Sequence, residues 1–275
     1  MLADFEKLSK PETFRQDEKK LKEDILEALD SAVKNLVSGL EEIPIAFSGG
    51  LDSSIVAYLA AKYGRPVLYC AGFEGSHDVV NAQKSFERSL APGASGAKLL
   101  FSPRLEIIRL DDLDLKIYLE KTIELVGTDN KLVTDLNVPL FIIAERLKRD
   151  GCSSFLSGQG ADTLFGGFAK YAYAKNFQEE EFEDIRNIRR TNLDYNFKVC
   201  DYFGVKPLFP FLEDRVVELA VETSPDLKIK SGVQKHILRQ AFEECLPEEI
   251  LKQNKKSFQY GSGIHKALAR IRKDR

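Results

Sequence analysis

The 275-residue sequence has no CxxC pair, no long apolar run and little net charge, and each absence excludes a class of protein. Its four cysteines are widely spaced, which predicts reduced thiols rather than a disulfide framework. The three histidines do not have the spacing of metal ligands. No apolar run approaches the length of a membrane span, and the charged first twenty residues do not resemble a signal peptide. We therefore expect a cytoplasmic protein that does not enter a membrane.

The charge balance also argues against a nucleic-acid partner. A net charge of −3 gives no electrostatic reason to expect binding to a polyanion. Hydrophobic residues make up 43% of the chain and charged residues 30%, which is ordinary for a globular enzyme. The length suits one large domain or two modest ones.

The pattern of apolar residues predicts alternating strands and helices in the first two thirds of the chain. Strands are predicted at 43–47, 66–73, 99–110 and 152–156. Helices are predicted at 21–39, 55–63, 78–90, 113–126 and 139–149, the last with Pro139 in its opening turn. This alternation predicts an α/β fold with a doubly wound parallel sheet.

The last third of the chain has a different pattern. From about Phe168 onward the strand pattern disappears, and helices are predicted at 179–202, 213–223 and 234–245. We therefore expect an N-terminal arm at 1–17, an α/β nucleotide-binding core at 18–167, and a helical C-terminal portion at 168–275 that completes the site.

The segment Ser48-Gly49-Gly50-Leu51-Asp52-Ser53-Ser54 lies between a predicted strand and a predicted helix. Paired glycines let a backbone approach an oxyanion closely, and N–H groups at a helix start bind anions. Asp52 would repel phosphate unless Mg²⁺ bridged the two, because hard cations bind carboxylate and phosphate oxygens together. An ordinary turn with Asp52 as a helix cap is the alternative.

A second glycine-rich segment, Ser157-Gly-Gln-Gly-Ala-Asp-Thr-Leu-Phe-Gly-Gly167, follows another predicted buried strand. Asp162 is its only ionised group. Ligands in open α/β sheets bind at the carboxyl ends of strands, which favours a functional loop over a simple turn capped by Asp162.

The SGGLDSS segment resembles the pyrophosphate-binding loop of the N-type ATP pyrophosphatases (the PP-loop, or adenine nucleotide α-hydrolase-like, superfamily). The second segment resembles the SGEGSDExFGG stretch of asparagine synthetases. Further similar stretches follow in family order: 72–78, 210–217, 235–239 and 255–263. The chain is therefore similar to the synthetase domain of the asparagine synthetase family over residues 20 to 265.

That resemblance implies a set of roles. ATP and Mg²⁺ would be bound, with Asp52 and Asp162 as metal ligands and Lys235 reaching the reacting phosphate. These three would be the catalytic residues. The remaining ATP-binding positions would be Ser48, Gly49, Gly50, Ser53, Ser54, Ala71, Gly72, Ser157, Gly158 and Lys255. From the residues alone, a solvated lysine on an amphipathic helix is the favoured interpretation of Lys235.

The chain departs from the family pattern on the acceptor side. Gln159 stands where the family has Glu, and glutamine cannot accept a proton. Thr163 replaces a second acidic residue, and Leu208 replaces an arginine. Replacement bases could be drawn from Glu213, His236, Tyr260 or His265, and no spacing rule selects among them.

The resemblance implies an AMP-forming carbon–nitrogen ligase. It would adenylate a carboxylate, by default L-aspartate, and transfer the acyl group to ammonia or another amine. No glutaminase segment is seen, so ammonia, a separate glutaminase subunit or another amine is expected as nucleophile, and a homodimer is left open. The alternatives are a non-catalytic ATP-binding sensor or complex subunit, and a PP-loop tRNA-modifying enzyme, which the charge and the lack of a CxxC pair disfavour.

Overall fold

A computed structural model describes residues 2–90, 100–253 and 261–273, with the side chain of Ala172 excepted. The strands are β1 (Glu42–Ala46), β2 (Arg65–Gly72), β3 (Arg104–Arg109), β4 (Ser154–Ser157), β5 (Lys206–Leu208), β6 (Ile229–Lys230) and β7 (Val233–Gln234). The helices are α1 (Glu18–Leu36), α2 (Leu51–Ala60), α3 (His77–Ser85), α4 (Leu115–Val126), α5 (Lys131–Arg149), α6 (Ala161–Leu164), α7 (Phe177–Ile188), α8 (Asp194–Phe203), α9 (Asp214–Glu222), α10 (Pro225–Lys228), α11 (His236–Ala241), α12 (Glu248–Leu251) and α13 (Ile264–Lys273). Short π-helical turns follow α3 and α7, at Phe86–Leu90 and Arg189–Leu193.

Five parallel strands form the central sheet in the order β3-β2-β1-β4-β5, with helices packed against it. The predicted parallel α/β fold is therefore confirmed. The central strands β1 and β2 are almost wholly buried, as expected for a parallel sheet covered on both faces. The apolar face of α1 packs into the same core, through Leu21, Ile25, Leu29 and Val33.

Two predictions about elements were wrong. Pro139 lies in the interior of α5, which begins eight residues earlier at Lys131. Asn130 caps that helix start, because its side chain accepts hydrogen bonds from the N–H groups of Leu132 and Val133. Burial of the middle of α5 in the protein interior, including Val138, outweighs the preference of proline for an opening turn.

The strand pattern also does not end at Phe168. β5 joins the edge of the central sheet beside β4, and β6 and β7 form a separate antiparallel hairpin. The division of the chain into domains near residue 167 stays a prediction. The central sheet contains strands from both sides of that point, since β5 follows it and the other four strands precede it. No helix in the described ranges is both long and apolar enough to cross a membrane.

Candidate functional site

The order of the strands places both glycine-rich segments at one crevice. β1 is central, with β2 on one side and β4 on the other, and Ala46 pairs with Ser157 at the carboxyl ends of β1 and β4. The chain runs outward from β1 through β2 to β3 and then crosses back to β4. A reversal of this kind opens a crevice at the carboxyl edge, where open α/β sheets bind ligands.

The first loop has the backbone geometry of an anion site. Gly49 has a φ of +72°, and a Cβ there would lie 2.5 Å from the backbone of Asn81, so only glycine fits. The Ser53 hydroxyl donates to Gly50 O at 3.2 Å and accepts from the Ser48 N–H at 3.3 Å, which closes the loop. The first-turn N–H groups of α2 have no intrahelical acceptors, and the helix dipole adds positive potential.

Asp52 lies in the first turn of α2 and does not cap the helix. The N-cap residue is Gly50, two positions earlier, and it makes no side-chain cap hydrogen bond. The alternative reading of Asp52 as a helix cap was therefore wrong. Its carboxylate instead points to the second loop and to Lys235.

The second loop packs directly on the first. A Cβ on Gly158 would lie 2.9 Å from the Cβ of Asp52, so the absence of a side chain lets the two segments touch. Gly160 caps the short helix α6 with a φ of +99°, and Asp162 follows in its first turn. This geometry brings the carboxylates of Asp52 and Asp162 to the same end of the crevice.

Lys235 joins these two carboxylates. Its Nζ lies 2.6 Å from each oxygen of Asp52 and 2.7 Å from Oδ1 of Asp162. The lysine side chain is 4% exposed, against 18% and 20% for the two aspartates. Three residues distant in the sequence therefore meet at one point, and the alternative of a solvated surface lysine was wrong.

The backbone at Lys235 is in the left-handed region, with a φ of +55°. This conformation costs a non-glycine residue roughly 1–2 kcal/mol, so the surrounding structure must impose it. Burial lowers the pKa of the Lys235 ammonium, and the nearby carboxylate of Asp52 opposes that effect. The negative charges of the two aspartates thus offset the solvation cost of burying the Lys235 ammonium.

Gly167 makes room for the lysine. A Cβ at this position would lie 2.2 Å from Asp162 Oδ1 and 2.3 Å from Lys235 Cε. Any larger residue would displace one of the two groups. The sequence shows a Gly166-Gly167 pair at the end of the second loop, but only the structure shows which side chains need the space.

Arg239 is a second residue whose role the sequence did not indicate. Its Nε donates to Gln234 O at 2.7 Å, and its Nη atoms donate to Leu251 O and Gln253 O. The guanidinium therefore ties the backbone just before Lys235 to the end of α12. The only sequence clue was its place in a KxxLR stretch.

Three of the predicted ATP-binding positions, Ala71, Gly72 and Ser157, lie at the same edge of the sheet. Ala71 is fully buried near the end of β2, and Gly72 ends that strand. Ser157 ends β4, where its hydroxyl accepts from the Gln159 N–H at 3.3 Å. Their location is compatible with a nucleotide, and their roles stay predictions.

The altered acceptor-side residues have distinct surroundings. Gln159 is partly exposed in the second loop, and Thr163 is buried in α6. Leu208 is buried at the end of β5, beside β4. Each position therefore lies on or next to the elements that form the crevice.

The candidate bases are engaged elsewhere or lie outside the described residues. His236 bonds to Glu18 of α1 at 2.8 Å, and His265 bonds to the buried Asp135 of α5 at 2.5 Å. Glu213 precedes α9 as its N-cap residue. Tyr260 lies outside the described residues, as does Lys255, which was predicted to bind ATP.

The chemistry of the donor set fits a magnesium ion. Asp52 and Asp162 offer carboxylate oxygens within hydrogen-bond distance of one common atom. Mg²⁺ in phosphate-binding sites is held by one or two carboxylates, with substrate phosphates and water completing the shell. Within the described ranges no group of three or more His, Cys, Asp or Glu side chains forms a self-sufficient metal site.

Comparisons with known proteins identify the family to which the chain belongs. The family model of asparagine synthase matches residues 24–199 and 174–275. A Methanocaldococcus jannaschii protein assigned as glutamine-hydrolysing asparagine synthetase 1 is 29% identical, over 91% of this chain and 52% of that protein. Asparagine synthetase B of Escherichia coli is 26% identical, over 88% of this chain and 45% of its own length. The chain thus spans about half the length of the curated relatives it matches.

Among solved structures, a U34-tRNA thiolase from Methanococcus maripaludis aligns over 93% of this chain and 73% of its own. The TM-score is 0.38 and the identity 14%. A likeness this low says nothing about function.

Proposed function

The chain belongs to the asparagine synthase family, and we propose that it is an ATP-dependent ligase that activates a carboxylate as its adenylate, releases pyrophosphate and transfers the acyl group to an amine. The observation that carries this proposal is the meeting of Asp52, Asp162 and Lys235 at the mouth of the first glycine-rich loop. Two carboxylates and one buried cation suit a magnesium-bound polyphosphate.

Each part of the crevice then has a task. The amides at the start of α2 and the hydroxyls of Ser48 and Ser53 bind and orient the outer phosphates of ATP. Asp52 and Asp162 would hold Mg²⁺, which would neutralise the phosphate charge and stabilise the leaving pyrophosphate. Lys235 places a fixed positive charge where negative charge grows in the transition state. Burial of Lys235 strengthens that interaction, because water screens it less.

The carboxylate and the amine are the open part of this proposal. L-aspartate and ammonia are the default pair, since both follow from the family. Gln159 offers an amide where the family has an acid, so proton removal from the amine would fall to another residue or to solvent. A separate glutaminase subunit would supply ammonia if free ammonium does not.

The test is pyrophosphate release from Mg-ATP with a panel of amino acids, with and without ammonium. We expect release to require one carboxylate substrate and to fall by at least about a hundredfold in Asp52→Asn, because loss of a metal ligand removes several kcal/mol of transition-state stabilisation. Asp24→Asn is the matched control: its side chain is 15% exposed and ion-paired to Arg15, and it lies in α1, outside the two glycine-rich loops.

The outcomes separate the rival functions. ATP binding without pyrophosphate release under any acid and amine would overturn the ligase proposal in favour of a nucleotide sensor. Release that needs tRNA instead of an amino acid would place the chain with the RNA-modifying enzymes. Unchanged turnover in Asp52→Asn would refute the metal assignment.

A further inference from the structure

The β6–β7 hairpin leads directly into Lys235. Ile229 pairs with Gln234, and Lys230 pairs with Val233, around a turn formed by Ser231 and Gly232. β7 ends one residue before Lys235, whose backbone is left-handed. The position of this short hairpin therefore determines where the Lys235 ammonium points.

A buried ion pair anchors the first strand of the hairpin. Lys228 immediately precedes β6, and its Nζ donates to Glu181 Oε2 of α7 at 2.6 Å. The two residues are 1% and 5% exposed. Burial raises the pKa of Glu181 to about 7, and Lys228 opposes that shift. The pair is thus held in the protein interior at a cost in solvation.

The same anchor contacts the end of the second glycine-rich loop. A Cβ on Gly166 would lie 3.0 Å from Ile229 Cγ1 and 3.4 Å from Lys228 Cβ, so the start of the hairpin packs closely on this glycine. The Gly166 N–H also faces the Glu181 carboxylate and weakly favours its ionised form.

A hydrogen bond anchors the second strand to the same loop. Gln234 Nε2 donates to Phe168 O at 2.9 Å. Both ends of the hairpin therefore bind the segment 166–168, which contains Gly167 and follows Asp162. Lys235 is connected to segment 166–168 through the hairpin, and Asp162 is connected to it through the chain.

We propose that the Glu181–Lys228 ion pair and the Gln234–Phe168 hydrogen bond are positioning elements that fix the hairpin on the second loop and so fix the backbone from which the Lys235 side chain reaches Asp52 and Asp162. This proposal rests on the proposed function, in which Lys235 contacts the reacting phosphate. An ordinary contribution to stability is a weak account of the ion pair, because apolar replacements of buried ion pairs are often neutral or stabilising.

The test compares the affinities of ATP and AMP, measured by calorimetry with Mg²⁺ present. A general loss of stability would weaken both nucleotides, whereas displacement of Lys235 weakens only ATP, because AMP lacks the outer phosphates. Lys235→Met removes the ammonium altogether and so gives the largest effect expected, a loss of about ten- to hundredfold in the ATP-to-AMP affinity ratio. Gln234→Ala is expected to lower the ratio about fivefold.

The ion pair is tested by the double variant Glu181→Leu/Lys228→Met, which replaces two charges by apolar side chains and should stay folded. We expect the ratio to fall about three- to tenfold in this variant, at an unchanged melting temperature. The control is Glu179→Leu/Lys10→Met, which removes an exposed ion pair between the same helix, α7, and the N-terminal segment and should leave the ratio unchanged.

Two results would overturn the positioning role, and a third would overturn the proposed function on which it rests. A normal ratio in both Gln234→Ala and the double variant, with Lys235→Met impaired, refutes the positioning role and leaves the proposed function standing. Equal losses for ATP and AMP would reduce the anchors to a structural role. A normal ratio in Lys235→Met itself refutes the phosphate contact on which both proposals depend.

Discussion

Replacing Gly167 by alanine should displace Lys235 without removing any charged group from the site. The added Cβ would lie 2.3 Å from Lys235 Cε and 2.2 Å from Asp162 Oδ1. Non-bonded carbons are stable at about 3.5–4 Å, so the lysine or the aspartate must retreat by more than about 1 Å. Both neighbours are themselves packed between loops, which leaves little room for adjustment.

The magnitude follows from the contacts that such a retreat breaks. Lys235 Nζ now lies 2.6 Å from Asp52 and 2.7 Å from Asp162, and a shift of this size takes at least one bond beyond hydrogen-bond range. A hydrogen bond to a charged group contributes about 1.5–3 kcal/mol. The proposed contact between Lys235 and a phosphate oxygen of ATP is a bond of the same kind, so at about 1.4 kcal/mol per factor of ten its loss should lower ATP affinity roughly ten- to hundredfold.

Calorimetry with Mg-ATP and with AMP measures this effect. AMP affinity should stay close to that of the wild type, because in the proposed function Lys235 contacts the outer phosphates, which AMP lacks. Gly151→Ala is the control: its φ of +81° makes alanine strained, but no heavy atom lies near the new Cβ. That variant should lose about 1–2 kcal/mol of stability and keep its nucleotide affinities. Wild-type ATP affinity in Gly167→Ala would refute the reasoning.

Three further predictions concern the metal ligands, the acceptor side and the buried ion pair. Asp162→Asn should weaken Mn²⁺ binding in the presence of ATP by at least about tenfold, or ~1.4 kcal/mol, in electron paramagnetic resonance titrations; unchanged binding would exclude Asp162 as a ligand. Gln159→Glu should increase ammonia-dependent turnover of L-aspartate if the chain is a modified asparagine synthetase, and no increase counts against aspartate as the acceptor. Because the pKa of Glu181 in the folded protein, about 7, lies above its ordinary value of 4.5, its contribution to stability is present below about pH 4.5 and is lost as the pH rises toward 7. Glu181→Gln should therefore flatten this part of the pH dependence in urea unfolding, and an identical slope in both proteins would contradict the shift.

The central strands could be predicted from the sequence because they are buried on both faces. Such strands are short continuous apolar runs, and β1, β2 and β4 lie within two residues of their predicted bounds. β5 was missed because three residues, one of them Pro207, carry no periodic pattern. Its place at the edge of the sheet is where proline is tolerated.

The two glycine-rich loops were recognisable because their geometry is local. A glycine such as Gly49 is required by its own backbone angle and its nearest neighbour. The pairing of Glu181 with Lys228 has no such local basis. The two residues lie 47 positions apart on elements whose contact depends on the whole fold, so the sequence offers two ordinary charged residues. The same holds for Gln234, whose partner is a backbone carbonyl.

The charges at the mouth of the first loop explain why a lysine and two aspartates belong together. Asp52 and Asp162 alone would place two negative charges beside a loop built to receive an anion, and their field would oppose phosphate binding. Lys235 contacts both carboxylates and reduces that opposition, yet its burial keeps water from screening its charge. Because one ammonium serves both aspartates, a small displacement of Lys235 changes the potential at both. The place at which the β6–β7 hairpin holds Lys235 therefore affects the electrostatic potential of the whole site, in addition to any stability that its contacts add.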